Sequence, residues 1–172
     1  MTKDFEKCET CSQVKITKKH HKSVVRNTEL LELIHSDLRE FEWILTRGWN
    51  RYIITFIDDF SKYTTIYLLK NKSDAFEKFQ DFLKEVENQF DRKIKRIRSD
   101  RGCEYESNAF NSFVQSLGII HETTAPYSPA SNGVVERKNR TLIELTNVML
   151  IESCAPLHFW GEDNFNCMSC FE

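Results

Sequence analysis

The sequence predicts an α/β domain built on a mixed sheet, and three observations carry that prediction. Three strand-like segments follow one another near the start, the second and third of them rich in Ile, Thr and Tyr. Two amphipathic helical stretches then alternate with two shorter strand segments, and a long helical stretch follows them. The order strand, strand, strand, helix, strand, helix, strand, helix requires crossover connections. It therefore predicts a five-stranded sheet with both parallel and antiparallel neighbours, flanked by helices.

Residues 1–28 are polar and carry Lys15, Lys18, Lys19, Lys22 and Arg26, which reads as a basic tail or the stub of another module. The domain proper spans 29–172. Leu31, Leu33, His35 and Asp37 fall on one side of a strand expected to end near Leu38. Phe41 to Asn50, with Gly48, predicts a turn. Tyr52 to Ile57 and Thr64 to Leu69 read as antiparallel strands, punctuated by Asp58, Asp59 and Ser61. Ser73 is the expected cap of a helix whose buried face is Phe76, Phe79, Leu83, Val86 and Phe90. After a short strand, Lys95 to Ser99, either Ser107 or Asn108 caps a second helix. Its stripe is Phe110, Phe113, Val114 and Leu117, and Gly118 stops it. Ile119 to Thr123 is the fifth strand. Pro126, Pro129 and Gly133 predict a loop, and the long helix is expected to begin close to Val134. Its core face reads Val135, Leu142, Leu145 and Met149, and Pro156 ends or kinks it.

Composition excludes several classes of function. The 172 residues are 40% hydrophobic and 29% charged, as in an ordinary globular protein. Apolar stretches such as Tyr52 to Ile57 are too short to cross a bilayer, so no membrane association is expected. The polar start predicts no secretory signal, hence a nuclear or cytoplasmic protein rather than a secreted one. A net charge of −2 argues against a generic DNA-coating protein. Attraction to nucleic acid must come from local clusters, such as the lysine-rich segment or Arg137, Lys138 and Arg140. Six cysteines without a secretory signal do not predict a disulfide framework. Cys8 with Cys11 and Cys167 with Cys170 each have half of a zinc-site spacing, but they stand at opposite ends of the chain.

The candidate chemistry lies in carboxylates. Asp37 and Asp100 each end a predicted strand, where open α/β sheets place their sites, and Glu136 sits near the start of the long helix. Spacing alone decides nothing, because Asp4 and Glu40 are as far apart in sequence as Asp100 and Glu136. Converging carboxylates repel one another unless they hold hard divalent cations. Two Mg²⁺ (or Mn²⁺) ions about 4 Å apart are the arrangement that serves in-line phosphoryl transfer. Asp58 and Asp59 read as turn residues. Cys103 has no base at a recognisable spacing, which sets a thiol nucleophile aside.

At these residues a family resemblance becomes close. The stretch from Pro126-Tyr127-Ser128-Pro129 to Val134-Val135-Glu136-Arg137-Lys138-Asn139-Arg140 is similar to the loop and helix of integrases of the copia branch of retrotransposons. His35-Ser36-Asp37-Leu38, Phe56-Ile57-Asp58-Asp59-Phe60-Ser61-Lys62 and Ser99-Asp100-Arg101-Gly102 resemble that branch's other landmarks, in order. The resemblance implies a ribonuclease H-like fold and a metal-dependent polynucleotidyl transferase acting on element ends and target DNA. It implies that Asp37, Asp100 and Glu136 hold two Mg²⁺ (or Mn²⁺) ions, within about 8 Å of one another. It further implies that Tyr127, Asn132, Asn139 and Arg140 meet DNA, and that the active form is a homo-oligomer.

The sequence also departs from the family pattern. Cys8 and Cys11 resemble the second half of the integrase zinc module, whose two His ligands precede it, and here His20 and His21 follow instead. The pair reads as a vestigial half-site, with zinc binding not expected. The sequence after Glu162 departs from the family's Ala- and Leu-rich helix, so the chain reads as a fragment of a longer polyprotein. Two readings follow: an enzyme of DNA integration, or a catalytically inactive nucleic-acid-binding remnant with the same fold.

Overall fold

The computed structural model describes residues 28–40, 45–124, 129–154, 156 and 158. The strands are β1 (Leu33–Glu40), β2 (Tyr52–Asp58), β3 (Thr64–Leu69), β4 (Arg96–Ser99) and β5 (Ile120–Thr123). The helices are α1 (Ala75–Phe90), α2 (Asn108–Ser116) and α3 (Pro129–Ser153). The strands form one mixed sheet in the order β3-β2-β1-β4-β5. β1 and β2 pair antiparallel, as do β2 and β3, while β1 with β4 and β4 with β5 are parallel. The expected fold is therefore the one observed.

β1 is central and buried on both faces from Leu33 to Asp37, because helices cover the sheet on both sides. Alternation puts Ile34 and Ser36 toward one helical layer and Leu33, His35 and Asp37 toward the other. The first layer is the main core. There Phe56 stacks on Phe82 with ring centroids 4.5 Å apart, and Phe79 and Phe110 meet at 5.2 Å. Phe79, Phe82, Leu83 and Val86 are the buried residues of α1's apolar face, with Phe76 and Phe90 packed at its margin. On the other face α3 packs against β1 and β2. Among the described residues its buried side chains are Val135, Asn139, Leu142 and Thr146, spaced four, three and four residues apart.

Several local expectations are corrected. Leu31 precedes β1 in a turn at φ 61°, and Asp58 Oδ1 accepts its N–H at 2.9 Å. Ser73 is not the cap of α1. It lies inside a 3₁₀ turn, Lys72–Asp74, where the Asp74 carboxylate accepts the Asn71 N–H at 3.0 Å. Ser107, rather than Asn108, caps α2 by accepting the Phe110 N–H. Leu117 ends that helix exposed rather than completing its stripe, and Gly118 at φ 70° turns the chain into β5. α3 starts at Pro129, ahead of the expected Val134, because proline is well suited to a helix's first turn. Leu145, expected in the core, is exposed. The Met149 side chain lies outside the described residues.

Candidate active site

The sheet sets two of the three expected carboxylates side by side. The parallel register pairs Leu33 with Arg96, Ile34 with Ile97 and His35 with Arg98. Two residues further along that register stand Asp37 and Asp100. Adjacent strands lie ~4.8 Å apart, so both carboxylates leave the sheet at neighbouring positions, Asp37 from within β1, which runs on to Glu40 past its expected end near Leu38, and Asp100 just past the end of β4. Burial pushes the Asp100 carboxyl above the usual carboxylate range. The Gly102 N–H, which Oδ1 accepts at 3.1 Å, opposes that rise; the Asp37 charge adds to it and the Lys72 charge opposes it.

Asp37 is buried and oriented from two sides. Its Oδ2 accepts from Arg39 Nε at 2.9 Å and from Asn139 Nδ2 at 2.6 Å. Among the described residues no hydrogen bond is made by Oδ1. Arg39 is two residues along the same strand and so shares Asp37's face. Beneath the pair, Ser36 Oγ and Tyr105 Oη share a hydrogen bond of 2.6 Å in the core. Ser99 Oγ donates to the Asp100 carbonyl at 2.9 Å and lies 2.9 Å from His121 Nε2, whose ring also has Nδ1 3.5 Å from Asn111 Oδ1. Burial pushes His121 below the ordinary histidine value.

Glu136 is half-buried on α3, three residues before Asn139. Residues so spaced lie about 5–6 Å apart on one helical face, so Glu136 is one helical turn from the Asn139–Asp37 contact. The earlier start of α3 puts Glu136 in the body of the helix rather than in its first turn. Among the described residues no group of three His, Cys, Asp or Glu is gathered to hold a metal. The donors nevertheless fit a hard divalent cation: Asp37 and Asp100 offer carboxylate oxygens, an environment for Mg²⁺ rather than for zinc.

The other expected residues divide. Asn139 was expected at DNA, yet its amide is buried against Asp37, whereas Arg140 beside it is exposed. The shared helical face thus splits between the sheet and the surface. Arg137 is exposed and Lys138 half-buried. Asn132 is in α3, with its side chain outside the described residues. Tyr127, Cys8, Cys11, Cys167 and Cys170 lie outside the described residues. Asp58 and Asp59 have the turn role expected of them. Asp58 Oδ2 accepts both the N–H and the hydroxyl of Ser61 at 2.7 Å, and Asp59 contacts His35 and Lys62. Sequence reasoning missed Arg39 and the Ser36–Tyr105 bond. Period-two spacing offered a signal for Arg39, but none announced the bond.

Residues 27–129 match the family model of the integrase core domain, a span that includes Asp37 and Asp100. This chain belongs to the integrase core domain family. The core is 44% identical over 137 residues to the retrovirus-related Pol polyprotein from transposon TNT 1-94 of Nicotiana tabacum, covering 80% of the chain and 10% of that relative. It is 34% identical over 155 residues to the corresponding polyprotein from transposon RE2 of Arabidopsis thaliana, covering 88% and 10%. The chain thus spans about a tenth of the length of these copia-type relatives. A chain of the simian T-cell lymphotropic virus intasome in complex with PP2A regulatory subunit B56 gamma shares the fold with a TM-score of 0.64 at 22% identity, over 89% of this chain and 54% of that one. The HTLV-2 integrase catalytic core solved with magnesium gives 0.57 at 21%, over 77% and 80%. These likenesses make the fold ribonuclease H-like. Among the described residues no helix is long and apolar enough to cross a membrane.

Proposed function

We propose that this integrase core carries out divalent-metal-dependent polynucleotidyl transfer in DNA integration: processing of the element's 3′ ends and strand transfer into target DNA. The observation that carries this reading is the parallel β1–β4 register, which, continued two residues past its last pair His35–Arg98, sets Asp37 of β1 beside Asp100 just after β4. Asp37, Asp100 and Glu136 are the metal-binding set. Held by these carboxylates, two Mg²⁺ (or Mn²⁺) ions would supply the positive charge that an in-line phosphoryl displacement needs. Arg39 and Asn139 hold Asp37 by Oδ2, and among the described residues Oδ1 has no hydrogen bond. The buried Ser36–Tyr105 bond fixes the strand beneath it. Glu136 joins the pair from α3, one turn from Asn139. Arg140, exposed on the same helix, meets the DNA backbone, with Tyr127 and Asn132 of the preceding segment. Dimeric and trimeric forms of the HTLV-2 core with magnesium support a homo-oligomer and divalent-metal use in this family.

The hold of Arg39 and Asn139 on Asp37, with Glu136 not gathered beside it, favours a second reading. In that reading the fold binds nucleic acid without turnover. Nicking and strand transfer on end-labelled duplexes in Mg²⁺ or Mn²⁺ separate the two, using this chain and a version extended by its polyprotein flanks. Glu136→Gln is expected to remove nearly all turnover while leaving DNA affinity unchanged, because an amide keeps the shape but cannot act as a charged ligand. Turnover near wild type would require another ligand set. Binding without turnover by the extended wild type would establish the second reading.

A further inference from the structure

A serine stands directly before each aspartate of the candidate site, Ser36 before Asp37 and Ser99 before Asp100, and both serines are fully buried. Ile34 and Ile97 pair across β1 and β4 on the main-core face. Ser36 and Ser99, each two residues further along, share that face. There each hydroxyl meets a ring. Tyr105 Oη is 2.6 Å from Ser36 Oγ, and His121 Nε2 is 2.9 Å from Ser99 Oγ. The two rings are neighbours, with centroids 6.4 Å apart. Both pack against Phe110, Tyr105 at 5.6 Å and His121 at 5.2 Å.

The Ser36–Tyr105 pair ends at β1, whereas the Ser99–His121 pair reaches Asp100 itself. Ser99 Oγ donates to the Asp100 carbonyl at 2.9 Å, and the Gly102 N–H donates to its carboxylate at 3.1 Å. Asp100 is therefore gripped at both main chain and side chain. A serine hydroxyl with that carbonyl as its sole partner is free to move to another staggered position. His121 supplies the second contact that fixes the oxygen. The imidazole is itself anchored from two elements: β5, where His121 pairs with Ile97, and α2, where Asn111 Oδ1 lies 3.5 Å from Nδ1. Asp100 stands just past the end of β4, so this grip does what a continued strand would otherwise do. Ligands that share divalent ions must stand within about 0.5 Å of their productive places, because Mg²⁺ accepts little departure from octahedral geometry.

We propose that His121 is a positioning residue of this site: through the Ser99 hydroxyl it holds the Asp100 main chain where that carboxylate can share divalent ions with Asp37. The inference rests on the metal-binding reading of the carboxylates. Mn²⁺ binding to the whole chain without DNA, read from the electron spin resonance signal of the free ion well below Tm, tests it. His121→Phe keeps a ring against Phe110 but removes the contact with Ser99, and it is expected to weaken Mn²⁺ binding about tenfold. His121→Gln, which can bring an amide nitrogen to the place of Nε2, should recover most of that loss. Ser99→Ala should lose as much as His121→Phe, and the double variant no more than either single. Val114→Ala opens a void in the core beneath α2, so it should lower Tm and leave Mn²⁺ affinity unchanged. A merely structural His121 would give that same pattern. Wild-type affinity in folded His121→Phe or in Ser99→Ala, with Asp100→Asn weakened, overturns the role of His121 and leaves the carboxylate reading standing. Ser99→Ala decides alone where the phenylalanine variant does not fold. A folded wild type that binds no Mn²⁺ overturns both.

Discussion

Tyr105→Phe isolates one hydroxyl beneath the candidate site. Ser36 Oγ and Tyr105 Oη are 2.6 Å apart, and the two residues are 0% and 1% exposed. Phenylalanine keeps the edge contact with Phe110, whose ring centroid is 5.6 Å away, so the packing is retained. The Ser36 hydroxyl, in contrast, loses its partner out of reach of water. Such an orphaned group costs roughly 1–3 kcal/mol, and in a chain of this size each kcal/mol lowers Tm by about 2–4 °C. Ser36→Ala leaves the phenol in the same position. Combining the two removes donor and acceptor together, so the double variant should cost less than the sum of the singles. Burial pushes the Tyr105 phenol well above its ordinary value, with the charges of Asp37, Asp100 and Glu104 adding to the rise and the Ser36 bond opposing it. The bond therefore survives across the working pH range. Urea unfolding of the four proteins, with equal m-values, measures the cycle. A single variant within about 0.5 kcal/mol of wild type, or strict additivity, would refute the inference that this bond ties β1 to the loop after Asp100.

Two further outcomes follow from charge. Arg140→Ala should weaken DNA binding equally across sequences and lower the salt slope by about one unit, only when a divalent ion is present; a metal-independent site untouched by the change would lie elsewhere, on the segment from Lys15 to Arg26. Glu122 is raised by burial but brought net below its ordinary value by Arg98, at 2.6 Å, and by Arg96. Its folded value being depressed, the stability it contributes is complete above about 4.5, the unperturbed value, and is lost as the pH falls through the folded value. The Tm difference between wild type and Glu122→Gln should therefore be constant at neutral pH and shrink below about 4.5; a difference that grows on acidification would contradict the ion-pair account.

The strands and helices were legible because their signals are local. Phe79, Leu83 and Val86 recur at helical spacing, and Tyr52 to Ile57 carries the side chains of a pleated, buried strand. The ends of elements were less legible because they depend on groups distant in sequence. Leu31 looks like part of β1 from its spacing, and what takes it out is the carboxylate of Asp58, 27 residues on. Proline before a long apolar pattern reads equally as loop or as a helix's first turn, so the start of α3 was misplaced. Leu145 was assigned to the core by its residue type. The helix buries the stripe through Asn139 and Thr146 instead, and those polar side chains did not look like core residues. Asp37 and Asp100 could be read from their predicted strands; of the partners that orient Asp37, period-two spacing offered a signal for Arg39 and nothing local offered one for Asn139.

The polar stripe of α3 connects the fold to the chemistry. A helix that packed on this face through Leu and Val alone would be free to settle in more than one rotation, because apolar contact is non-directional. The Asn139 amide ends that freedom with a 2.6 Å bond to a carboxylate on the neighbouring strand, 102 residues away in sequence. Once Asn139 is placed, helical geometry dictates where Glu136 stands, one turn toward the N-terminus. Arg140, the next residue, is set outward on the exposed side. A single buried contact therefore sets both the third carboxylate and an exposed cation relative to Asp37. Asn139, expected from the resemblance to meet DNA, has its amide buried against the Asp37 carboxylate.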